Sequence, residues 1–259
     1  MSRQGLIGGV LVLCGACSFD GSVQVTSAVE PGLADANDEV RAGDASANDP
    51  DGPSPLVDVC PDDSALVLCH EFEASLSDSS SFNNDATGTG HAFAAGVAGQ
   101  SLSLNAATEV KVADAPSLRF GPDTMTLEAW VFPETISTTN RAGVVDQDGG
   151  PSIFIYANGD VQCFAGNRRV GTGPGNIGAG SWVHLACTHQ SGTTKIYIDG
   201  QLVLEDGGGG SITAGTIGMA VGGNSPSGDP FEGRIDNLRV WTVARTGGEI
   251  CAAANQTGC

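Results

Sequence analysis

Hydrophobic positions in this chain recur with a period of two, in short runs separated by glycine-containing reversals. Thr126-Leu127-Glu128-Ala129-Trp130-Val131-Phe132, Ser152-Ile153-Phe154-Ile155-Tyr156, Trp182-Val183-His184-Leu185-Ala186-Cys187 and Lys195-Ile196-Tyr197-Ile198 are rich in β-branched and aromatic residues, which suit a pleated, half-buried surface. Successive side chains of a strand point to opposite faces, so each run turns one face to a core and the other away from it. The reversals are explicit. Asp199-Gly200 separates Ile196-Tyr197-Ile198 from Leu202-Val203-Leu204, a two-residue hairpin signal because glycine accepts positive φ. Asn158-Gly159-Asp160 plays the same part between Phe154-Ile155-Tyr156 and Val161-Gln162-Cys163. No segment carries a long helical period. The pattern predicts an all-β fold, a sandwich of antiparallel sheets from about Leu66 to Val243.

Upstream of this region the pattern changes twice. Arg3 precedes the apolar run Gly5-Leu6-Ile7-Gly8-Gly9-Val10-Leu11-Val12-Leu13, which is too short to span a bilayer and has the size of a signal-peptide core. It ends in Leu13-Cys14-Gly15-Ala16-Cys17. Small residues before a cysteine resemble a bacterial lipobox, which makes residues 1–16 a signal peptide and Cys17 the lipidated N-terminus. Cys14 departs from that pattern, standing where leucine or another apolar residue is usual, and an ordinary secretory signal is the alternative. From Ser18 to about Val59 apolar periodicity is missing, and Ala, Gly, Pro, Ser and acids such as Asp35, Asp38, Glu39, Asp44, Asp49 and Asp51 dominate. Such a segment buries too little apolar surface to offset the entropy of ordering it. Residues 17–59 are therefore expected to be a disordered acidic tether, kept extended by like charges.

Composition narrows the partners. The 259 residues carry 30 acids against 11 lysines and arginines, a formal charge of −19, which repels phosphate backbones and anionic headgroups. Nucleic acid is excluded as a partner, and membrane association is left to a lipid anchor. Removing the peptide through Ala16 discards Cys14, one of the 8 cysteines, and leaves Cys17 together with Cys60, Cys69, Cys163, Cys187, Cys251 and Cys259. Their spacings are not the two-residue steps that let thiolates converge on zinc, so an oxidising compartment, and an exported chain, is the simpler reading. Cys187 shares a face with Val183 and Leu185, which makes a buried bond to Cys163 the expected central disulfide. Cys60–Cys69 and Cys251–Cys259 are the short-range partners for the rest.

The ordered set of strand motifs resembles the laminin G-like jellyroll domains of the concanavalin A-like lectin/glucanase superfamily. The matching stretches are Glu71-Phe72-Glu73 with Asp78-Ser79-Ser80, Thr126-Leu127-Glu128-Ala129-Trp130-Val131, Trp182-Val183-His184-Leu185-Ala186, Lys195-Ile196-Tyr197-Ile198-Asp199-Gly200, and Phe231-Glu232-Gly233-Arg234-Ile235-Asp236-Asn237-Leu238-Arg239-Val240-Trp241. The resemblance implies a two-sheet jellyroll over residues 60–259. It also leaves open a crossed pairing of N-terminal with C-terminal cysteines, because the family's chain ends lie close together. It implies a structural calcium too, where a carboxylate at the Asp236 position meets backbone carbonyls of the N-terminal segment, in the stretch that carries Glu71 and Asp78; hard oxygen ligands suit that ion, and the alternative is that Asp236 only hydrogen-bonds backbone at the strand end.

Fold alone does not give function, since jellyrolls of this kind host lectins, adhesion modules and hydrolases. Laminarinase-type relatives carry Glu, Asp and Glu alternating along one strand to flank a glycosidic bond; no such run exists here, and Glu128 is read as structural. A Gly-x-Ser-x-Gly elbow is missing, His184 and His189 lie on one strand, and His70 and His91 are isolated residues expected in exposed loops. On the faces turned away from the core, Trp182 and His184 share one strand, Tyr197 accompanies Lys195, and Phe164 accompanies Gln162. If those faces line a concave sheet, Phe164, Trp182, His184 and Tyr197 are the candidates for stacking on a sugar, whereas Trp130 reads as a packing residue, as Trp182 also does. The expected function is a surface-displayed, non-catalytic binding or adhesion module for a glycan or protein ligand; the alternative is a lectin-fold carbohydrate-active hydrolase.

Overall fold

The computed structural model describes residues 59–259 except residue 214. The expected signal peptide, Cys17 and the tether up to residue 58 lie outside the described residues. Val59, assigned to the tether, instead packs with Cys60 and Ala65 against Leu66, Cys69 and Trp241.

The strands, in order, are β1 Leu66–His70, β2 Ala86–Thr89, β3 Ala92–Ala95, β4 Gln100–Leu104, β5 Glu109–Val112, β6 Thr124–Pro133, β7 Ala142–Gln147 and β8 Ser152–Tyr156. They continue with β9 Asp160–Ala165, β10 Arg168–Gly171, β11 Val183–Gln190, β12 Thr193–Ile198, β13 Gln201–Asp206, β14 Met219–Val221 and β15 Gly233–Trp241, before the helix α1 Gly247–Ala253. They form two sheets. The larger runs β13-β12-β11-β6-β15-β4-β3 with β1 also paired to β15, and the smaller runs β10-β9-β8-β7-β14-β5-β2. All pairings are antiparallel, as the sequence pattern predicts.

Alternation decides what lies between the sheets. Met125, Leu127, Ala129 and Val131 of β6 and Val183, Leu185 and Cys187 of β11 enter one core with Ile153 and Ile155 of β8 and Val161 and Cys163 of β9. The intervening residues of each strand therefore stand on one of the two outer faces. Cys163 and Cys187 are bonded, and they join β9 of the small sheet to β11 of the large one. Cys60–Cys69 and Cys251–Cys259 are the other two bonds, so the crossed pairing of the chain ends is overturned. Three disulfides in one domain are the mark of an oxidising, extracellular compartment.

Turn chemistry follows the sequence closely. Ile198 pairs with Gln201 across Asp199 (φ 48°) and Gly200 (φ 77°), a two-residue loop with both central residues left-handed. Between β8 and β9 the loop is Ala157–Gly159, with Asn158 at φ 60° and Gly159 at φ 75°, and Asp160 already belongs to β9. In β15 the register shifts between Asp236 and Arg239, with Asn237 at φ 48°. This bulge absorbs one extra residue and keeps Leu238 and Val240 in the core.

One expectation is corrected. His70 is not in an exposed loop: it ends β1 with no exposed surface, its Nδ1 lies 3.0 Å from the Ser77 carbonyl oxygen, and it stacks on Phe72. The chain also forms the short helix α1. Its start is fixed by Thr246, whose hydroxyl accepts from the Glu249 N–H at 3.3 Å while the Glu249 carboxylate accepts from the Thr246 N–H at 2.7 Å. That reciprocal pair is the capping box.

Candidate functional site

The outer face of the small sheet gathers aromatic and polar side chains at the β8–β9–β10 end. Because Ile153, Ile155, Val161, Cys163 and Val170 are spent on the core, alternation leaves Phe154 and Tyr156 of β8, Asp160, Gln162 and Phe164 of β9, and Arg169 of β10 on this face. Cross-strand register sets them side by side: Tyr156 opposes Asp160, Phe154 opposes Gln162, and Arg169 opposes Phe164. Phe154 makes edge contacts with both Tyr156 and Phe164, at centroid separations of 6.3 and 5.5 Å. Arg141, the residue just before β7, lies over the Phe154 ring at 4.5 Å. Its Nη1 donates to the Tyr156 hydroxyl at 2.9 Å and its Nε to Asp229 at 2.7 Å. Phe154 is thus buried under the guanidinium, while Tyr156 and Phe164 stay half-exposed.

Polar groups beside the rings are already oriented. The Asp160 carboxylate accepts from the Gly173 N–H at 2.8 Å, from Thr172 and from the Gln162 amide, which leaves Gln162 Oε1 buried and without a partner. Next to Tyr156 opens a depression of about 620 Å³ lined by Ser137, Asn140, Arg141, Asp229 and Glu232, within the range of small-ligand sites. Beyond the 222–230 loop a smaller one of about 270 Å³ is lined by Thr89, Glu109, Lys111, Asn224 and Pro226. Asp146, on the same sheet, has its carboxyl pushed up by burial, against hydrogen bonds from the Ser152 hydroxyl and the Ser225 N–H.

The four residues expected to stack on a ligand do not share one face. Phe164 is on the small sheet, whereas Trp182, His184 and Tyr197 are on the outer face of the large sheet. Trp182 is half-buried, meets Phe132 edge-on at 5.6 Å, and has Arg234 at 5.3 Å. His184 has no exposed surface, and burial with the nearby Arg239 and Arg245 lowers its pKa to about 4, outweighing Glu128. It is neutral at pH 7, its 3.6 Å approach to Glu128 is therefore not an ion pair, and it reaches no ligand from this position. Tyr197 is 4% exposed and packs with Ala186 against Ile250 of α1. It forms part of a depression of about 550 Å³ with Thr188, Lys195, Glu205 and Arg245.

Glu128 is the hub beneath this face. It is fully buried, accepts from Arg245 Nη1 at 2.6 Å and Trp241 Nε1 at 2.9 Å, and has Arg239 Nε at 3.3 Å. Burial pushes its pKa up, but the charges of Arg239 and Arg245 hold it below the usual carboxylate range, with His184 adding to them only once it is protonated. The Arg245, Trp241 and Arg239 contacts all fall on Oε1, while Oε2 is buried without a hydrogen-bond partner.

The carboxylates expected at a calcium also separate. Asp78 is saturated by the N–H groups of Cys69, Ser80 and Asn84 and the Ser80 hydroxyl, at 2.6 to 2.9 Å, and Glu71 accepts from Ser79 at 2.6 Å. Among the described residues no group of three His, Cys, Asp or Glu converges. Asp236 has a different neighbourhood. Its Oδ2 accepts from the Val97 N–H at 2.9 Å, and its Oδ1 is buried with no partner. Burial, reinforced by Glu73, pushes its pKa up to about 7 against the backbone N–H groups of Val97, Ala98 and Asn237. The 96–99 turn wraps both acids so closely that a Cβ at Gly96 would strike Asp236 and one at Gly99 would strike Glu73.

Sequence reasoning missed Arg141, Arg169 and Asp160 as members of the small-sheet face. The signal was present in the alternation Phe154-x-Tyr156 and Asp160-x-Gln162-x-Phe164, read together across the hairpin.

Comparison with known proteins bears on fold and family. No curated protein matches the sequence. Among solved structures, domain 4 of AbnA, a GH43 extracellular arabinanase from Geobacillus stearothermophilus, in complex with arabinotriose, superposes with a TM-score of 0.60 at 24% identity, over 73% of this chain and 98% of that one. The binding domain of Paraclostridial Mosquitocidal Protein 1 gives a TM-score of 0.60 at 17% identity, over 74% and 52%. A botulinum neurotoxin type C structure, whose cell entry depends on two ganglioside molecules, gives 0.58 at 15% identity, over 74% and 51%. The chain thus spans about half of these toxin chains, and the likeness to all three is one of fold. The Laminin_G_3 model of the concanavalin A-like lectin/glucanases superfamily matches residues 104–251, more than half of the sequence, and the chain belongs to that family.

Proposed function

We propose that the outer face of the small sheet binds a glycan and that the chain is a surface-displayed, non-catalytic binding module. The observation that carries this reading is the juxtaposition of Phe154, Tyr156 and Phe164 with Asp160, Gln162, Arg141 and Arg169 beside an open depression. Aromatic rings offer a flat apolar surface to a sugar's C–H face, and fixed polar groups at the rim select hydroxyls. The complex of the arabinanase domain with arabinotriose supports the reading by analogy. Asp160, Asp229 and Asp146 each accept hydrogen bonds from this chain's own groups, which suits a binding face better than the paired acid and nucleophile of a glycosidase. The test is a glycan-array screen of the full chain, followed by titration. Tyr156→Ala and Phe164→Ala are each expected to weaken binding up to about tenfold, the loss of ~0.5–1.5 kcal/mol of stacking. Unchanged affinity in both variants sinks the site, and release of reducing ends from a bound glycan sinks the non-catalytic reading.

Calcium and the anchor complete the proposal. Asp236 and Glu73 would hold a structural calcium, because the orphaned, buried Oδ1 of Asp236 and the enclosing 96–99 turn form an oxygen-lined niche. Bound there, the ion would neutralise the Asp236 carboxylate, which burial otherwise penalises, and it would join β15 to the segment following β1. Cys17, lipidated, would fix the chain to a bacterial outer membrane or cell envelope, with the acidic tether as spacer.

A further inference from the structure

We propose that the ligand of the small-sheet face is an acidic glycan, and that Arg169 is the residue that reads its carboxylate. The inference rests on the glycan-binding reading above and adds the charge of the ligand to it. Other arginines among the described residues have partners: Arg119 with Asp114, Arg141 with Asp229, Arg168 with Asp206, Arg239 and Arg245 with Glu128, and Arg234 with the Ala95 carbonyl. Arg169 is exposed, and among the described residues its side chain has no carboxylate in ion-pair reach and no hydrogen-bond partner. Its guanidinium stands 5.6 Å from the centroid of Tyr156, the ring that Arg141 flanks at 5.7 Å.

Charge complementarity decides the class of ligand. In a chain with 30 acids and 11 bases, an unpaired surface arginine is the exception, and here it sits on the face that carries the aromatic cluster. The nearby carboxylates are held by other groups, Asp160 by Gly173, Thr172 and Gln162, and Asp229 by the Arg141 guanidinium, and neither is paired with Arg169. A guanidinium offers two parallel N–H groups that match a carboxylate in a bidentate pair, which a neutral sugar does not need. A uronic or sialic acid residue stacked beside Tyr156 would present its carboxylate to that fork.

The test uses the full chain and matched probes: oligogalacturonate against its methyl ester, and sialyllactose against lactose, titrated calorimetrically. At least one acidic member is expected to bind about tenfold or more tightly than its neutral counterpart, since a charge-assisted bidentate pair is worth about that factor or more. Arg169→Gln should abolish the preference without lowering the melting temperature, and Arg169→Lys should restore only part of it because it keeps the charge but not the fork. Equal binding of acid and neutral forms, or an acid preference that survives Arg169→Gln, overturns the inference. If binding is then still lost in Tyr156→Ala, the glycan-binding reading stands without it. If no probe in the panel and no glycan on the array binds, both fall.

Discussion

Glu128 keeps its charge in a site with no exposed surface because Arg239, Arg245 and the Trp241 indole surround one of its oxygens. Breaking such a pair leaves the opposite charges stranded, so Glu128→Ala should destabilise the domain by about 3–5 kcal/mol, measured by denaturant unfolding. Two other buried groups give the stability a pH dependence of opposite sign. His184 has a folded pKa of about 4, below the value near 6.5 of an unfolded chain. Only the unfolded state takes up its proton between those values, so this contribution is complete above pH 6.5 and is lost as pH falls toward 4. Asp236 is pushed up to about 7 from a model-peptide value of 3.8. Here the folded state binds the extra proton, so stability is greatest below pH 4 and falls as pH rises through 7. Melts in chelator from pH 4.5 to 7.5 should therefore show Asp236→Asn gaining on wild type as pH rises, by on the order of 2–4 kcal/mol at the upper end. His184→Gln should lose the decline below 6.5. Excess calcium should raise the wild-type melting temperature at pH 7.5 and leave Asp236→Asn unmoved; an unchanged wild-type melt strikes Asp236 as a ligand.

At the scale of elements, what the sequence shows and what it hides follow one rule. Alternation tells which residues of a strand face the core, and β6, β8, β11 and β12 lie where their patterns predict. It does not tell which of two sheets a strand joins, and so it cannot separate Phe164 from Trp182, His184 and Tyr197, although the small and large sheets present them on opposite sides of the sandwich. Nor does it tell what lies over an outer face: α1 covers Tyr197, and that helix, at 7 residues, is too short to register as a period. Its signature was local, the spacing Thr246-Gly247-Gly248-Glu249. Thr246→Ala should cost about 1 kcal/mol and speed hydrogen exchange in α1 before the sheets respond. The Cys163–Cys187 bond is legible for the opposite reason, since both cysteines sit at core positions of their strands. It ties β9 to β11 across a separation of 24 residues, and the double variant Cys163→Ala/Cys187→Ala should lose about 3 kcal/mol by chemical denaturation.

For the whole molecule the governing quantity is charge. At −19 the chain is repelled by anionic lipid headgroups, and among the described residues no helix is long and apolar enough to cross a membrane. Membrane attachment of such a chain requires an attraction that charge does not supply, and an acyl chain supplies it at about 0.8 kcal/mol per buried CH₂ group. If Cys17 carries lipid, Cys17→Ala should shift the protein from the membrane pellet to the soluble fraction of lysed cells, with glycan binding unchanged because the small-sheet face is built wholly within the described domain. Washing with high salt distinguishes the lipid from any residual basic contact, since salt screens charge pairing but strengthens apolar burial. Wild-type protein that stays in the pellet through that wash, and a variant that leaves it, support the anchor. A Cys17→Ala protein that remains membrane-bound removes the lipid from the account.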